Sequence, residues 1–165
     1  MPSAELNHVF RIAAPPREVF EHLAEPDNYI GLSPLVVAVR DVHRTEETLS
    51  YSAVERFRLL RFLRHDNVIR VTLTAVGSGL PRTAEISGEV HSPAHVHMAY
   101  RFAIAGDGAG EGDGSIVTDT LRLRTPPLLL RFAASQARAV QVSRARILAE
   151  RLAPGSPPTA GDDRA

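Results

Sequence analysis

Residues 125–152 read TPPLLLRFAASQARAVQVSRARILAERL, about seven helical turns uninterrupted by proline or glycine once the opening Pro-Pro is passed. Everything between residue 35 and this segment alternates or turns like strand. A lone long helix at the end of a strand meander has one natural place. It lies across the concave side of the sheet, and whatever it fails to fill becomes a ligand cavity. Leu129, Ala133, Gln136, Val140, Ser143 and Ile147 follow one stripe at helical spacing, with Phe132 beside it. Gln136 and Ser143 break that stripe two turns apart, roughly 10 Å. Either they border the stripe and bond locally, or they face the cavity and orient a ligand.

Upstream, Leu6, His8, Phe10 and Ile12 alternate as a first strand. Pro15 and Pro16 open a short helix with Val19, Phe20 and Leu23 on its apolar face, and Pro26 stops it. Asp27 caps a further short helical turn carrying Tyr29 and Ile30. Strands are predicted over 35–43, 48–58, 67–76, 83–91, 95–105 and 115–124. A Gly-Ser-Gly-Leu-Pro turn falls at 77–81 and a glycine-rich loop at 106–114. Thr125 is the predicted cap of the long helix, with Pro126 its first residue. The short connections favour an antiparallel meander, since parallel neighbours need long crossovers. The domain spans 1–153, and the tail 154–165 is predicted to be disordered.

Period-two alternation sorts the strands into two faces. Val96, Met98, Tyr100, Phe102 and Ile104 share one side, as do Ala84, Ile86, Gly88 and Val90. Ile69, Val71 and Leu73 point the same way, with Tyr51, Ala53, Glu55 and Phe57 on the next strand and Val117, Asp119, Leu121 and Leu123 on the last. Two carboxylates, Glu55 and Asp119, thus fall in apolar rows. A buried charge needs a partner, a raised pKa or water; the alternative is a bulge or register slip that turns it outward. The predicted ligand-contacting set is Tyr51, Glu55, Phe57, Ile69, Val71, Met98, Tyr100, Phe102 and Asp119, facing Phe132, Gln136, Val140 and Ser143.

His91 and His95 flank Ser92-Pro93-Ala94, and so do Glu89 and His97. A simple hairpin there sets His91 opposite His95 and Glu89 opposite His97. Zinc could use such a set, but these residues lie on the face away from the long helix, where polar pairs are ordinary. No metal and no cofactor is therefore expected.

Composition narrows the classes. The 19 basic residues, all arginine, balance 19 acidic ones. A neutral chain without a basic run is a poor nucleic-acid binder. There are no cysteines, which excludes disulfides and thiolate metal sites. No leader pattern opens the chain, and no apolar run approaches the roughly 20 residues of a membrane span. A cytoplasmic protein with no transmembrane segment is expected, as a monomer or weak homodimer.

The opening HVFRIAAPPREVFEHLAEPDNYIGLSPLV, continued by VERFRLLRF, IRVTLTAV, YRFAI, VTDTLRLRTPPLLL and the final helix, resembles START-like, polyketide cyclase/dehydrase-type proteins of the helix-grip (SRPBCC) superfamily. The resemblance covers residues 6–152 and departs where many members carry Trp-Pro and this chain has Ile30-Gly31-Leu32. It implies an α+β helix-grip fold, with a seven-stranded antiparallel sheet around the C-terminal helix and two short helices between strands one and two. It also implies that strand one lies between strands seven and two, and that the cavity takes an apolar small molecule such as a lipid or polyketide. Some members catalyse cyclisation. Enzyme or not stays open at this point. A cyclase or dehydratase would use Glu55 or Asp119 as general base, with Tyr51 or Tyr100 polarising a carbonyl. A protein-interaction module is the third reading.

Overall fold

The computed structural model of the chain describes residues 1–45, 48–59, 63–76, 83–92, 96–108 and 114–153. In chain order these form β1 (Ser3–Ile12), α1 (Pro16–Ala24), a 3-10 turn (Pro26–Tyr29), β2 (Val36–Arg44), β3 (Thr48–Leu59), β4 (Leu63–Val76), β5 (Thr83–Ser92), β6 (Val96–Gly106), β7 (Ser115–Arg124) and α2 (Pro127–Arg151). The strands make one seven-stranded antiparallel sheet. With the long C-terminal helix it is the α+β helix-grip arrangement that the sequence predicts. The predicted turn at 77–81, the tip of the 106–114 loop and the tail 154–165 lie outside the described residues.

Alternation decides the faces as expected. In β7, Val117, Asp119, Leu121 and Leu123 are buried while Arg122 and Arg124 are exposed. In β6, Tyr100, Phe102 and Ile104 are buried and Arg101 points to solvent, where it pairs with Glu85 of β5 at 2.6 Å. Ile69, Val71, Leu73 and Ile86 complete the inner wall. α2 lies mainly alongside β1 and β7, and α1 alongside β5 and β6. The two helices therefore divide the concave face between them, and Val19 and Leu23 of α1 are fully buried there.

Three expectations are corrected. The sheet runs β1-β7-β6-β5-β4-β3-β2, so β1 and β2 stand at opposite ends instead of side by side. The segment carrying α1 and the 3-10 turn takes the chain from one end to the other. Asp119 on β7 and Glu55 on β3 are then four strand steps apart, roughly 19 Å along a flat sheet, too far for one carboxylate pair.

The β5–β6 pairing sets His91 opposite His97 and Glu89 opposite Ala99, with Ser92 opposite Val96. The connection is therefore 93–95 and not 92–94. Residues 93–95, His95 among them, lie outside the described residues.

α2 starts one residue later than predicted. Pro126 occupies the cap position with ψ 146°, and Pro127 is the first helical residue. Any residue before a proline is pushed away from helical ψ, so Pro127 denies Pro126 a place in the helix. Thr125 is buried and caps nothing.

Gly88 on β5 sits opposite Tyr100 on β6. A Cβ at 88 would overlap the ring and hydroxyl of Tyr100, so the aromatic ring lies directly on the glycine backbone. Gly88→Ala is expected to lose about 1–3 kcal/mol by overpacking, measured by thermal unfolding. The Gly88→Ala/Tyr100→Ala double variant should lose less than the two single losses added together.

His22 on α1 buries its Nε2 without a hydrogen-bond partner among the described residues. Burial, helped by the charge of Arg151, pushes its pKa down from 6.5 to about 4. The native state thus holds His22 neutral, while the unfolded chain takes up the proton near the ordinary value. Stability present above pH 6.5 should fall as the pH drops toward 4. Urea unfolding across that interval should show a shallower slope for His22→Leu.

Candidate functional site: a buried polar knot under the long helix

β7 turns Asp119 inward, between Val117 and Leu121, directly opposite Phe102 of β6 and His8 of β1. Its carboxylate is fully buried, and α2 supplies its partner. Nη2 of Arg144 donates to Oδ2 of Asp119, with both side chains almost wholly removed from solvent. The guanidinium also stands over the Phe102 ring, 4.7 Å from its centroid, a favourable place for a desolvated cation. One turn earlier on the helix, Gln141 Nε2 donates to the Asp119 backbone oxygen at 3.1 Å. Burial is the largest single influence and lowers the Arg144 pKa, but Asp119, with Tyr29 and Tyr100 adding to it, leaves the pKa raised. Asp119 Oδ1 and Arg144 Nε are buried with no hydrogen-bond partner among the described residues.

Three phenols complete the knot: Tyr29 from the 3-10 turn, Tyr51 from β3 and Tyr100 from β6, all buried. Tyr29 donates to the Leu23 carbonyl at 2.9 Å, and its ring lies 6.4 Å from that of Tyr51. Tyr100 meets Phe102 edge-on at 5.6 Å. Burial pushes the Tyr29 pKa up to about 12 against the pull of Arg144. Burial also raises Tyr51, with Tyr29 adding to it. Tyr100 is raised well above its ordinary value by burial and by both neighbouring tyrosines. All three therefore stay protonated at neutral pH and remain hydrogen-bond donors.

The turn that carries Tyr29 is clamped to the far end of α2. Arg151 donates from Nη1 to the Asn28 carbonyl at 2.6 Å and from Nη2 to the Ile30 carbonyl at 2.8 Å. Gly31 follows with φ 73°, its Cα edge facing the same guanidinium.

Of the predicted contact residues, Tyr51, Ile69, Val71, Tyr100, Phe102 and Asp119 are buried on the inner face, and Met98 is half-buried. Glu55 is half-buried toward the far end of the sheet, between Val36 and Asn67. The Phe57 side chain lies outside the described residues.

The helix contributions need correction. Phe132 and Gln136 are exposed, and Val140 and Ser143 only half-buried. The side that points inward is Ala137, Gln141, Arg144, Ala145 and Leu148. It has the same spacing as the predicted stripe, starting one residue further along. Alanines run through both stripes, so hydropathy barely separates them. The unmet demand of Asp119 for a cation decides between them, and Arg144 was the available signal. Tyr29, Gln141 and Arg144 are thus the members of the knot that sequence reasoning missed.

The ladder pairs His97, which is exposed, with His91 rather than with Glu89; His95 and the His91 side chain lie outside the described residues.

No family model matches the sequence and no curated protein matches it significantly. Solved structures do match the fold. Zhui aromatase/cyclase from Streptomyces sp. R1128 aligns with a TM-score of 0.72 at 15% identity, covering 94% of this chain and 100% of that one. A START superfamily protein from Mycobacterium smegmatis aligns at 0.65 and 12% identity, over 90% and 96%. Norcoclaurine synthase from Thalictrum flavum aligns at 0.57 and 8% identity, over 90% and 88%. The chain has the START-like (SRPBCC) helix-grip fold. No helix among the described residues is long and apolar enough to cross a membrane.

Removing one member of a buried ion pair strands the other. Arg144→Met should therefore destabilise the chain by about 3–5 kcal/mol, read from denaturant midpoints. Asp119→Leu combined with Arg144→Met should recover most of that loss.

Proposed function

We propose that the chain binds an uncharged, largely apolar small molecule, a lipid, polyketide or related compound, between the sheet and α2. The observation that carries this reading is the composition of the knot. Asp119 and Arg144 neutralise each other, and three protonated tyrosines stand beside them within an aliphatic wall of Ile69, Val71 and Val117. A site of this kind gives orientation to a ligand oxygen and offers no net charge to a carboxylate or an amine. Tyr51 and Tyr100 are the hydroxyls assigned to that oxygen, with Met98, Val140 and Ser143 at the margin.

Asp119 is held by Arg144, which takes from it the free carboxylate that a general base requires. This favours binding over the cyclase or dehydratase reading. Glu55 is the remaining candidate for that chemistry.

The test is uptake of a neutral apolar dye, N-phenyl-1-naphthylamine, with mass spectrometry of organic extracts of the purified protein. Dye fluorescence should rise on binding. Met98→Trp should block uptake by filling the margin. Tyr100→Phe should weaken any co-purifying oxygenated ligand by about 0.5–1.5 kcal/mol, the net value of one hydrogen bond. Absence of dye uptake, or uptake that Met98→Trp leaves unchanged, overturns the proposal.

A further inference from the structure

The solvent side of α2 carries a second apolar stripe that the described residues leave uncovered. Leu128 is 96% exposed, Phe132 64% and Val142 52%, and Ser135 and Ala139 between them are exposed as well. These residues follow one another at spacings of four, three, four and three. That is the 3.5-residue seam by which one helix receives another. It runs about 21 Å along the helix. The small Ser135 and Ala139 at its middle let a second backbone approach closely, while Leu128 and Phe132 at one end and Val142 at the other supply side chains to interlock.

Charge selects the partner. No carboxylate occurs from Thr120 to Ala149, while Arg131 and Arg138 flank the seam one heptad apart and Arg124 precedes it. Arg122, Arg144 and Arg146 are paired with Glu5, Asp119 and Glu150. Arg124, Arg131 and Arg138 are exposed and make no ion pair among the described residues. In a chain whose overall charge is zero, this is a local basic surface around an apolar seam. A second antiparallel copy would set Arg131 and Arg138 against their own counterparts, so self-pairing is repelled. We propose that this face of α2 docks an acidic amphipathic helix of a partner protein, with apolar residues at the partner's seam positions and carboxylates at its flanks.

The full chain is titrated by fluorescence anisotropy with two labelled synthetic helices of about three heptads. Both have leucine along the seam; one carries glutamate and the other lysine at the flanking positions. The glutamate peptide should bind, and more weakly as salt rises. Phe132→Ser with Val142→Ser should weaken it at least about tenfold. Arg131→Glu with Arg138→Glu should transfer the preference to the lysine peptide. All four positions are exposed, so thermal unfolding should stay unchanged and serve as the folding control. Failure of the glutamate peptide to bind, or equal binding of both peptides, overturns the proposal. Co-sedimentation with phosphatidylglycerol vesicles through the same residues would overturn it in favour of a membrane surface. A dimer on gel filtration that the serine variants dissolve would overturn it in favour of a second copy.

Discussion

The buried pairing of Asp119 with Arg144 is the interaction on which the rest of the interior depends. A carboxylate in the middle of an apolar strand face is tolerable only with a cation delivered to it. That requirement fixes the rotation of α2 about its own axis. Once Arg144 must point down at β7, Gln141 lands on the Asp119 backbone, Ala137, Ala145 and Leu148 become the buried side, and the stripe containing Phe132 turns to solvent. An apolar isostere pair would hold the helix about as firmly in energy, since buried ion pairs seldom stabilise beyond well-packed hydrophobes. It would not specify the rotation, because alanine-rich stripes on this helix are nearly interchangeable.

The same pair shapes the chemistry of the interior. Its charges cancel locally, so the surrounding tyrosines feel mainly burial and stay protonated. Tyr29 is held in this environment by its bond to the Leu23 carbonyl and by Arg151, at the end of the same helix, which holds the carbonyls on either side of it. Two arginines of α2 thus act in sequence along the helix. One fixes its rotation, and the other ties its end to the turn that brings in a phenol.

Much of this was legible in the sequence for physical reasons that differ by element. The strands were readable because β periodicity is two and the turn residues punctuate it; alternation put Val117, Asp119, Leu121 and Leu123 on one face, with a bulge or register slip left as the alternative for Asp119. The inward Asp119 was legible too, and with it the need for a partner. The partner was not, because hydropathy counts an arginine as surface and so steered the reading of α2 one residue away from its true stripe. The β1–β2 relation was illegible for another reason. Which strands pair depends on where the segment with α1 carries the chain, and no local pattern records that. The hairpin at 93–95 missed by a single residue, which in a ladder changes every facing pair.

The contact between Gly88 and Tyr100 has a consequence for how an interior of this kind can vary. The glycine already presents the least side chain possible, so nothing further can be removed there to make room. Space at that point of the sheet can be gained only by shortening residue 100, and each such change removes a hydroxyl along with the volume. At that point of the sheet, capacity and polarity are therefore set by one side chain, and a lineage with this glycine cannot enlarge the one there without surrendering the other.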